Sequence, residues 1–418
     1  MICPRLALAA ALTLAGCTEK PADTQPIAEF LAFGDSGYRY EYLEADEGEG
    51  LTTHALFVED ERLEWLDDKR PPSEFRAPPA WQRTDNGTWV SASGQDAVAA
   101  AMRRYCEGPP ACGFGVMLGD NIYPAGATLG TDGHDDAERF REVLLEPYAP
   151  LAANDADFRI YVALGNHDWK TSREAAMAQV RYLTETRPFY MDGIRYRVAP
   201  TGDAREVEIF VLDTHVMLSD HSILDDALTD DGRELDSGKI DAPPPWALPQ
   251  NAEEWGMAEW LEKSLAESPA RWKIVMGHHP LWSSAGSKFH QARLMRRLIL
   301  PALCRHADMY LAGHEHTLEL YTDGCKDVPE ARGRPPLPQL VSGAAGKQRP
   351  LNTNFARHQL AAHPELKSLS TQGLVWGFAH VTLEADRATI RLLTTPDDQS
   401  GRPVLAFEHG FNRRSGKQ

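Results

Sequence analysis

Residues 114–126 read FGVMLGDNIYPAG. The apolar run Phe114 to Leu118 is short enough to be a buried strand, and Asp120 and Tyr123 fall just past its end. The same construction recurs at four other places. Phe30 to Phe33 leads into GDSG at 34–37, Ile160 to Leu164 into GNHD at 165–168, Ile274 to Met276 into GHHP at 277–280, and Met309 to Ala312 into GHEH at 313–316. In open α/β sheets ligands bind beyond the carboxyl ends of the strands, so the five blocks are expected to line one site. They offer two aspartates, an asparagine, a tyrosine and several histidines, a mixed oxygen and nitrogen set that suits zinc, iron or manganese. No block contains cysteine, which excludes a thiolate zinc site there. Glycine beside each of these residues lets the backbone turn sharply and come close to a bound ion.

Taken in this order, the blocks resemble the calcineurin-like metallophosphoesterase superfamily and, within it, the purple acid phosphatases of the tartrate-resistant type. The resemblance runs from about Phe30 to about Gly346 and is dense only at the blocks. Residue by residue, it implies that Asp35 and His316 ligate one metal, that Asn166, His278 and His314 ligate a second, and that Asp120 bridges both. Tyr123, three residues after the bridging aspartate, separates the purple acid phosphatases from plain metallophosphoesterases. A phenolate favours iron(III), so the implied cofactor is a pair of metal ions, iron(III) with iron(II), zinc or manganese. Each residue also has a plainer reading. Tyr123 could pack or hydrogen-bond at its loop, and Asp35 and Asp120 could each be turn or capping residues. An isolated histidine, one of fifteen here, is ordinarily a satisfied surface or core residue.

Two cations about 3.5–4 Å apart bind phosphate oxygens and lower the pKa of a shared water. The resemblance therefore implies phosphomonoester hydrolysis by a hydroxide that bridges the metals. A phosphodiesterase or nucleotide hydrolase on the same site is the alternative, and a non-catalytic surface-binding lipoprotein with the same fold is a third reading. The leaving alkoxide needs a proton or must depart without one, and His167 is the first candidate donor. Asp168 either orients His167 or caps the following segment, which reads as helical from Thr171. The animal enzymes of the family commonly carry another histidine nine residues after the GHxP histidine. Here Ser287 stands at that position, leaving His290 and His279 as substitutes.

At 418 residues, with 42% hydrophobic and 25% charged residues, the chain has the composition of a globular protein, and one α/β domain with insertions is expected. A net charge of −18 excludes a general affinity for nucleic acid. A small phosphate ester, whose charge the metals would meet, avoids that penalty. The basic run Arg293 to Arg297 reads as the solvated face of an amphipathic helix.

Arg5 followed by the apolar stretch Leu6 to Ala15 has the pattern of a secretory signal peptide. Leu14 to Cys17 resembles a bacterial lipobox, which implies a signal peptide over 1–16, lipid on Cys17 and a tether over 17–27. Thr18 in place of aspartate makes an outer-membrane anchor the default, facing the periplasm or the cell surface. Cys106, Cys112, Cys304 and Cys325 then form an even set in an oxidising compartment. Nearest-neighbour pairing is expected, with buried free thiols as the alternative, above all for Cys304.

The main domain is expected over 28–400, with insertions near 41–93 and 217–250 and a C-terminal tail over 401–418. Either the first insertion shapes substrate access or it is a surface loop with hairpin character. Gln95 to Cys106 is expected to be the helix linking the first two strands, and Glu253 to Glu267 a single amphipathic helix. Asp213 reads as a turn or hydrogen-bonding residue. Strands at Leu318 to Tyr321, Gln339 to Val341, Gly377 to Leu383 and Ala388 to Leu393 are expected to close a second sheet. The fold class is α/β (α+β), and the resemblance implies a four-layer sandwich of two mixed sheets flanked by helices.

Overall fold

The computed structural model describes residues 26–109 and 111–414. The signal segment, the lipidation site expected at Cys17 and the tether up to residue 25 lie outside the described residues. Among the described residues, no helix is long and apolar enough to cross a membrane.

Two seven-stranded mixed sheets carry the fold. In the first, Ala28–Phe33, Phe114–Leu118, Ile160–Ala163 and Phe189–Tyr190 run parallel, because each is entered through a helical or loop crossover. In the second, Val207–Leu212, Trp272–Met276, Met309–Ala312 and Leu337–Ser342 run parallel in the same way. Phe114–Leu118, Ile160–Ala163, Val207–Leu212 and Met309–Ala312 are buried along their whole length, which explains their continuous apolar runs. The sheets touch where Ile160–Ala163 meets Val207–Leu212 and where Trp376–Leu383 meets Leu318–Asp323 and Leu337–Ser342. Helix Gln95–Cys106 packs on the first sheet, and helix Met257–Glu267 packs on the second, with Phe289–His306 against it.

Several expectations are corrected. Trp376–Leu383 and Arg387–Thr395 do not close the second sheet. The first pairs antiparallel with Ala28–Phe33, so both extend the first sheet. The expected tail contains a further edge strand, Val404–Asn412, paired with Arg387–Thr395, and Arg414 beyond it is buried, with its guanidinium donating to the carbonyls of Leu303, Cys304 and Ala307. The single helix expected over Glu253 to Glu267 breaks at Gly256 into Ala252–Trp255 and Met257–Glu267. Trp255 therefore leaves the apolar stripe and is 60% exposed.

The acidic first insertion holds a helix, His54–Asp67, that the sequence pattern did not suggest. Only Phe57 and Trp65 of its side chains are buried, so it has no continuous apolar stripe to read. The hairpin character expected nearby is present, as Ala80–Gln82 pairs with Trp89–Ser91. The cysteines pair as nearest neighbours, Cys106 with Cys112 and Cys304 with Cys325, and neither Cys304 nor its partner is a free thiol.

Candidate metal centre

All five blocks leave the carboxyl ends of parallel strands, three in the first sheet and two in the second, and the packing of the sheets brings these ends together. Asp35, Asp120 and His314 have positive φ angles of 54°, 50° and 71°. Non-glycine residues rarely adopt such angles, and they concentrate where a site over-determines the backbone. The neighbouring glycines permit close approach. A Cβ on Gly165 would lie 2.3 Å from Asp120 Oδ1, and one on Gly313 would lie 2.6 Å from Asp35 Oδ2.

Two groups of donor atoms result, and Asp120 belongs to both. On one side the Tyr123 hydroxyl lies 3.0 Å from Asp35 Oδ1, 3.0 Å from Asp120 Oδ2 and 3.1 Å from His316 Nε2. On the other, His278 Nε2 lies 3.4 Å from Asp120 Oδ2, 3.1 Å from Asn166 Oδ1 and 3.0 Å from His314 Nδ1. Ligand atoms of Asp120, His278 and His314 all fall within 4.8 Å of one another. His278 Nδ1 donates to the Leu118 carbonyl at 2.9 Å, which aims Nε2 at the cluster.

The electrostatics fit cations at this place. Burial raises the Asp35 pKa, and the nearby Asp120 charge adds to it. Burial also raises the Tyr123 pKa well above the ordinary phenol value, followed by the charges of Asp120 and Asp35. Burial, the largest single influence, would lower the His278 pKa, but Asp120, Asp35 and the bond to the Leu118 carbonyl together outweigh it and hold the imidazole at about 9. Protons thus fill the positions among these donors that cations would otherwise take. His314 and His316 are pushed well down by burial, so their rings are neutral and able to ligate, and His314 Nε2 is buried without a partner.

Around this core the other sequence candidates separate. His167 N donates to Asp120 Oδ1 at 2.8 Å, and its Nδ1 donates to the Pro124 carbonyl at 2.6 Å. That bond fixes the tautomer and leaves Nε2 as the available nitrogen, 3.9 Å from Asp120 Oδ2. Asp168 neither orients His167 nor caps the next helix, which Ser172 caps instead. Its carboxylate accepts from Asn121 N, Asn121 Nδ2, Gly165 N and Gln179 Nε2, tying two of the blocks together.

His279 lies at the site, with its ring 4.4 Å from that of His314. The Thr214 hydroxyl already accepts from His278 N and His279 N, so its proton goes to His279 Nδ1 at 2.8 Å, and the imidazole proton resides on Nε2. His290 is not brought in. It sits in the first turn of Phe289–His306, its N–H donates to Asp226, and its ring packs on Phe289. Asp213 caps the helix Thr214–Leu218 through Val216 N and accepts from Trp169 Nε1, a hydrogen-bonding role as expected.

Other contributors carried no motif. Lys347 Nζ lies 4.7 Å from the Tyr38 ring centre and 5.1 Å from that of Tyr123, a cation–π arrangement beside the first cluster. Arg349 pairs with buried Glu315 of the GHEH block. The first insertion reaches this side, where Leu43 and Val90 pack with Tyr38 and Tyr123. A cavity of about 260 Å³ opens beside the second cluster, with Asn166, His279 and His314 on its wall. The second insertion closes it with Ile223, Pro243 and Pro244, and Trp246 of the same insertion donates to the Trp169 carbonyl at 2.8 Å.

This fold and donor set define a metallophosphoesterase. The sequence model of the calcineurin-like phosphoesterase family matches residues 92–318, and the chain belongs to that family. The chain is 28% identical over 235 residues to purple acid phosphatase 17 of Arabidopsis thaliana, covering 56% of this chain and 59% of that one. It is 28% identical over 287 residues to tartrate-resistant acid phosphatase type 5 of Mus musculus, covering 66% and 73%. It thus spans about three fifths of the plant relative's length. Two solved structures share the fold. The anchor in the inner membrane complex of Plasmodium superposes with a TM-score of 0.55 at 14% identity, over 93% of this chain and 90% of that one. Purple acid phosphatase PPD1 from yellow lupin gives 0.50 at 12% identity, over 92% and 54%.

Proposed function

We propose that this chain hydrolyses phosphomonoesters as a dinuclear-metal phosphoesterase of the purple acid phosphatase kind. The observation that carries the reading is the sharing of Asp120 by two donor clusters of different chemistry. Asp35, Asp120, Tyr123 and His316 would hold iron(III), since phenolate and carboxylates are hard anionic ligands. Asp120, Asn166, His278 and His314 would hold iron(II), zinc or manganese. When bound, two such cations bind phosphate oxygens and make a water nucleophilic near neutral pH. The relatives named as purple and tartrate-resistant acid phosphatases support this reading.

The residues of the chain supply the rest. His167 Nε2, free of any protein donor, is the nitrogen that can hold a proton for the leaving oxygen. Lys347 places a positive charge beside the first cluster, where an anionic substrate would arrive at a chain of net charge −18. The test is metal analysis together with phosphate release by the chain and by Asp120→Ala. About two metals per chain and turnover that the substitution abolishes are expected. Equal behaviour of the two proteins would overturn the reading.

A diesterase is the second reading, because the cavity beside the second cluster has room for another ester group. Faster turnover of bis(4-nitrophenyl) phosphate than of 4-nitrophenyl phosphate would favour it. We further propose export, which the two disulfides support as bonds of an oxidising compartment, and lipid anchoring through Cys17, which rests on the sequence pattern Leu14 to Cys17. Mass spectrometry of the mature N-terminus tests this.

A further inference from the structure

The segment that follows strand Leu337–Ser342 is strapped to two of the blocks. Ala345 N donates to the Gly34 carbonyl at 3.3 Å and Gly346 N to the Asp35 carbonyl at 2.9 Å, while Arg349 N donates to the His316 carbonyl at 2.9 Å. A Cβ on Gly346 would lie 2.8 Å from the Asp35 carbonyl oxygen, so glycine lets the segment pass this close. Lys347 leaves the strap with Nζ 4.7 Å from the centre of the Tyr38 ring and 5.1 Å from that of Tyr123. His167 packs on Tyr123 as well, with ring centres 4.3 Å apart. The charges around Lys347 are Glu47, Arg349, Lys170 and Asp120, yet among the described residues it forms neither an ion pair nor a hydrogen bond through its ammonium. Glu47 is turned to the Tyr38 hydroxyl at 3.2 Å, and Arg349 is paired with Glu315. Lys347 is half-buried, and Nζ is not one of the sealed atoms that lack a partner, so a ligand can reach it.

Aromatic faces attract an ammonium through its charge without cancelling that charge, as a carboxylate would. The three N–H bonds of Lys347 are therefore left for an oxygen that the protein does not supply. We infer that Lys347 is a substrate-positioning residue, which donates to a phosphoryl oxygen at the first cluster and thereby selects monoesters over diesters. The inference rests on the phosphoesterase reading and names what sets its selectivity. A monoester phosphoryl group has three oxygens outside the ester bond and carries up to two charges, whereas a diester has two such oxygens and one charge. A pair of cations engages two of the oxygens. Only the monoester then keeps a third for Lys347, in a charge-assisted hydrogen bond that is roughly twice as strong as a neutral one. Lys170 and Lys288 line the cavity beside the second cluster, so Lys347 is the lysine that stands over Tyr123. Both of its flanks are fixed to the loops that carry Asp35 and His316, which sets the ammonium in place before substrate arrives.

Two variants test this on the metal-loaded chain. Lys347→Met keeps an unbranched stem against the two rings and removes the charge, and Lys347→Arg keeps the charge. Inorganic phosphate is titrated into all three proteins by calorimetry, and each protein is assayed on 4-nitrophenyl phosphate and bis(4-nitrophenyl) phosphate. In Lys347→Met the phosphate affinity and the monoester-to-diester ratio of kcat/KM are each expected to fall about tenfold, with metal content and melting temperature unchanged. Lys347→Arg is expected to restore most of both. Phosphate affinity and ester ratio equal to those of the native chain in Lys347→Met overturn the inference. An equal loss on both esters at unchanged phosphate affinity also overturns it and assigns Lys347 to the packing of Tyr123, and so does a loss of bound metal. A native chain that holds its metals and hydrolyses neither ester refutes the phosphoesterase reading instead, and the phosphate titrations still decide whether Lys347 holds the anion.

Discussion

The Tyr123 hydroxyl lies 3.0 Å from Asp35 Oδ1, although 88 residues separate the two in the chain. The same oxygen reaches Asp120 Oδ2, so a single phenol holds two buried carboxylates together. Tyr123→Phe removes that hydroxyl and leaves a buried carboxylate short of its donor. The metal-free variant is expected to lose on the order of 1–3 kcal/mol of stability, read from denaturant unfolding. The metal-loaded variant is expected to lose any visible absorption that the native chain shows. A variant as stable as the native chain would mean that the hydroxyl is not bonded as described.

Loading the centre should release protons. Without cations, burial raises the Asp35 and Tyr123 pKa values, and His278 is held at about 9. Cations replace these protons, so affinity is expected to rise with pH across the neutral range. Calorimetric titration with zinc in buffers of different ionisation enthalpy checks this, and a buffer-independent heat would contradict it.

His167→Gln should lower kcat by roughly 10²–10⁴-fold on an alkyl phosphate, which needs a proton for its leaving oxygen. The loss on 4-nitrophenyl phosphate should be much smaller, because that leaving group departs without one. His290→Ala, at a position the fold keeps away from the donor clusters, should match the native chain on both substrates. Equal losses on the two esters in His167→Gln would remove it from the proton-donor role.

Asp168→Ala tests the tie between blocks. It strands buried donors on Asn121, Gly165 and Gln179, and should cost about 3 kcal/mol or more together with part of the metal content. A variant that kept its stability but shifted the pH profile of kcat would instead return Asp168 to orienting His167.

Glu61 supplies a pH dependence away from the centre. Burial raises its pKa to about 7, followed by the charge of Glu64. A carboxyl whose folded pKa lies above its unfolded value contributes stability that is complete below about 4.5 and lost as pH rises through 7. Glu61→Gln should therefore flatten the fall in stability between pH 5 and pH 8, an effect on the order of 1 kcal/mol. Parallel melting curves of the two proteins across that range would exclude it.

Whereas the cysteine pairing stayed open against free thiols until the structure showed it, the sequence by itself determined the five strand-and-block units, the helix Gln95–Cys106 and the candidate donor residues. These are local properties: an apolar run closed by glycine and a polar residue specifies a buried strand with a side chain at its end, wherever that strand later lies. Sheet membership was not local. Trp376–Leu383 reads the same whether it pairs with the first or the second sheet, and only the free edge beside Ala28–Phe33 decided it. Helix His54–Asp67 lacks an apolar stripe, so periodicity could not reveal it. The surroundings of the donors were also settled in three dimensions. Asp168 became a tie between loops, His290 turned away on its helix, and Lys347 arrived from a segment with no motif. Their roles depend on which chain ends the two sheets bring together, a consequence of packing that residue order along the chain does not encode one position at a time.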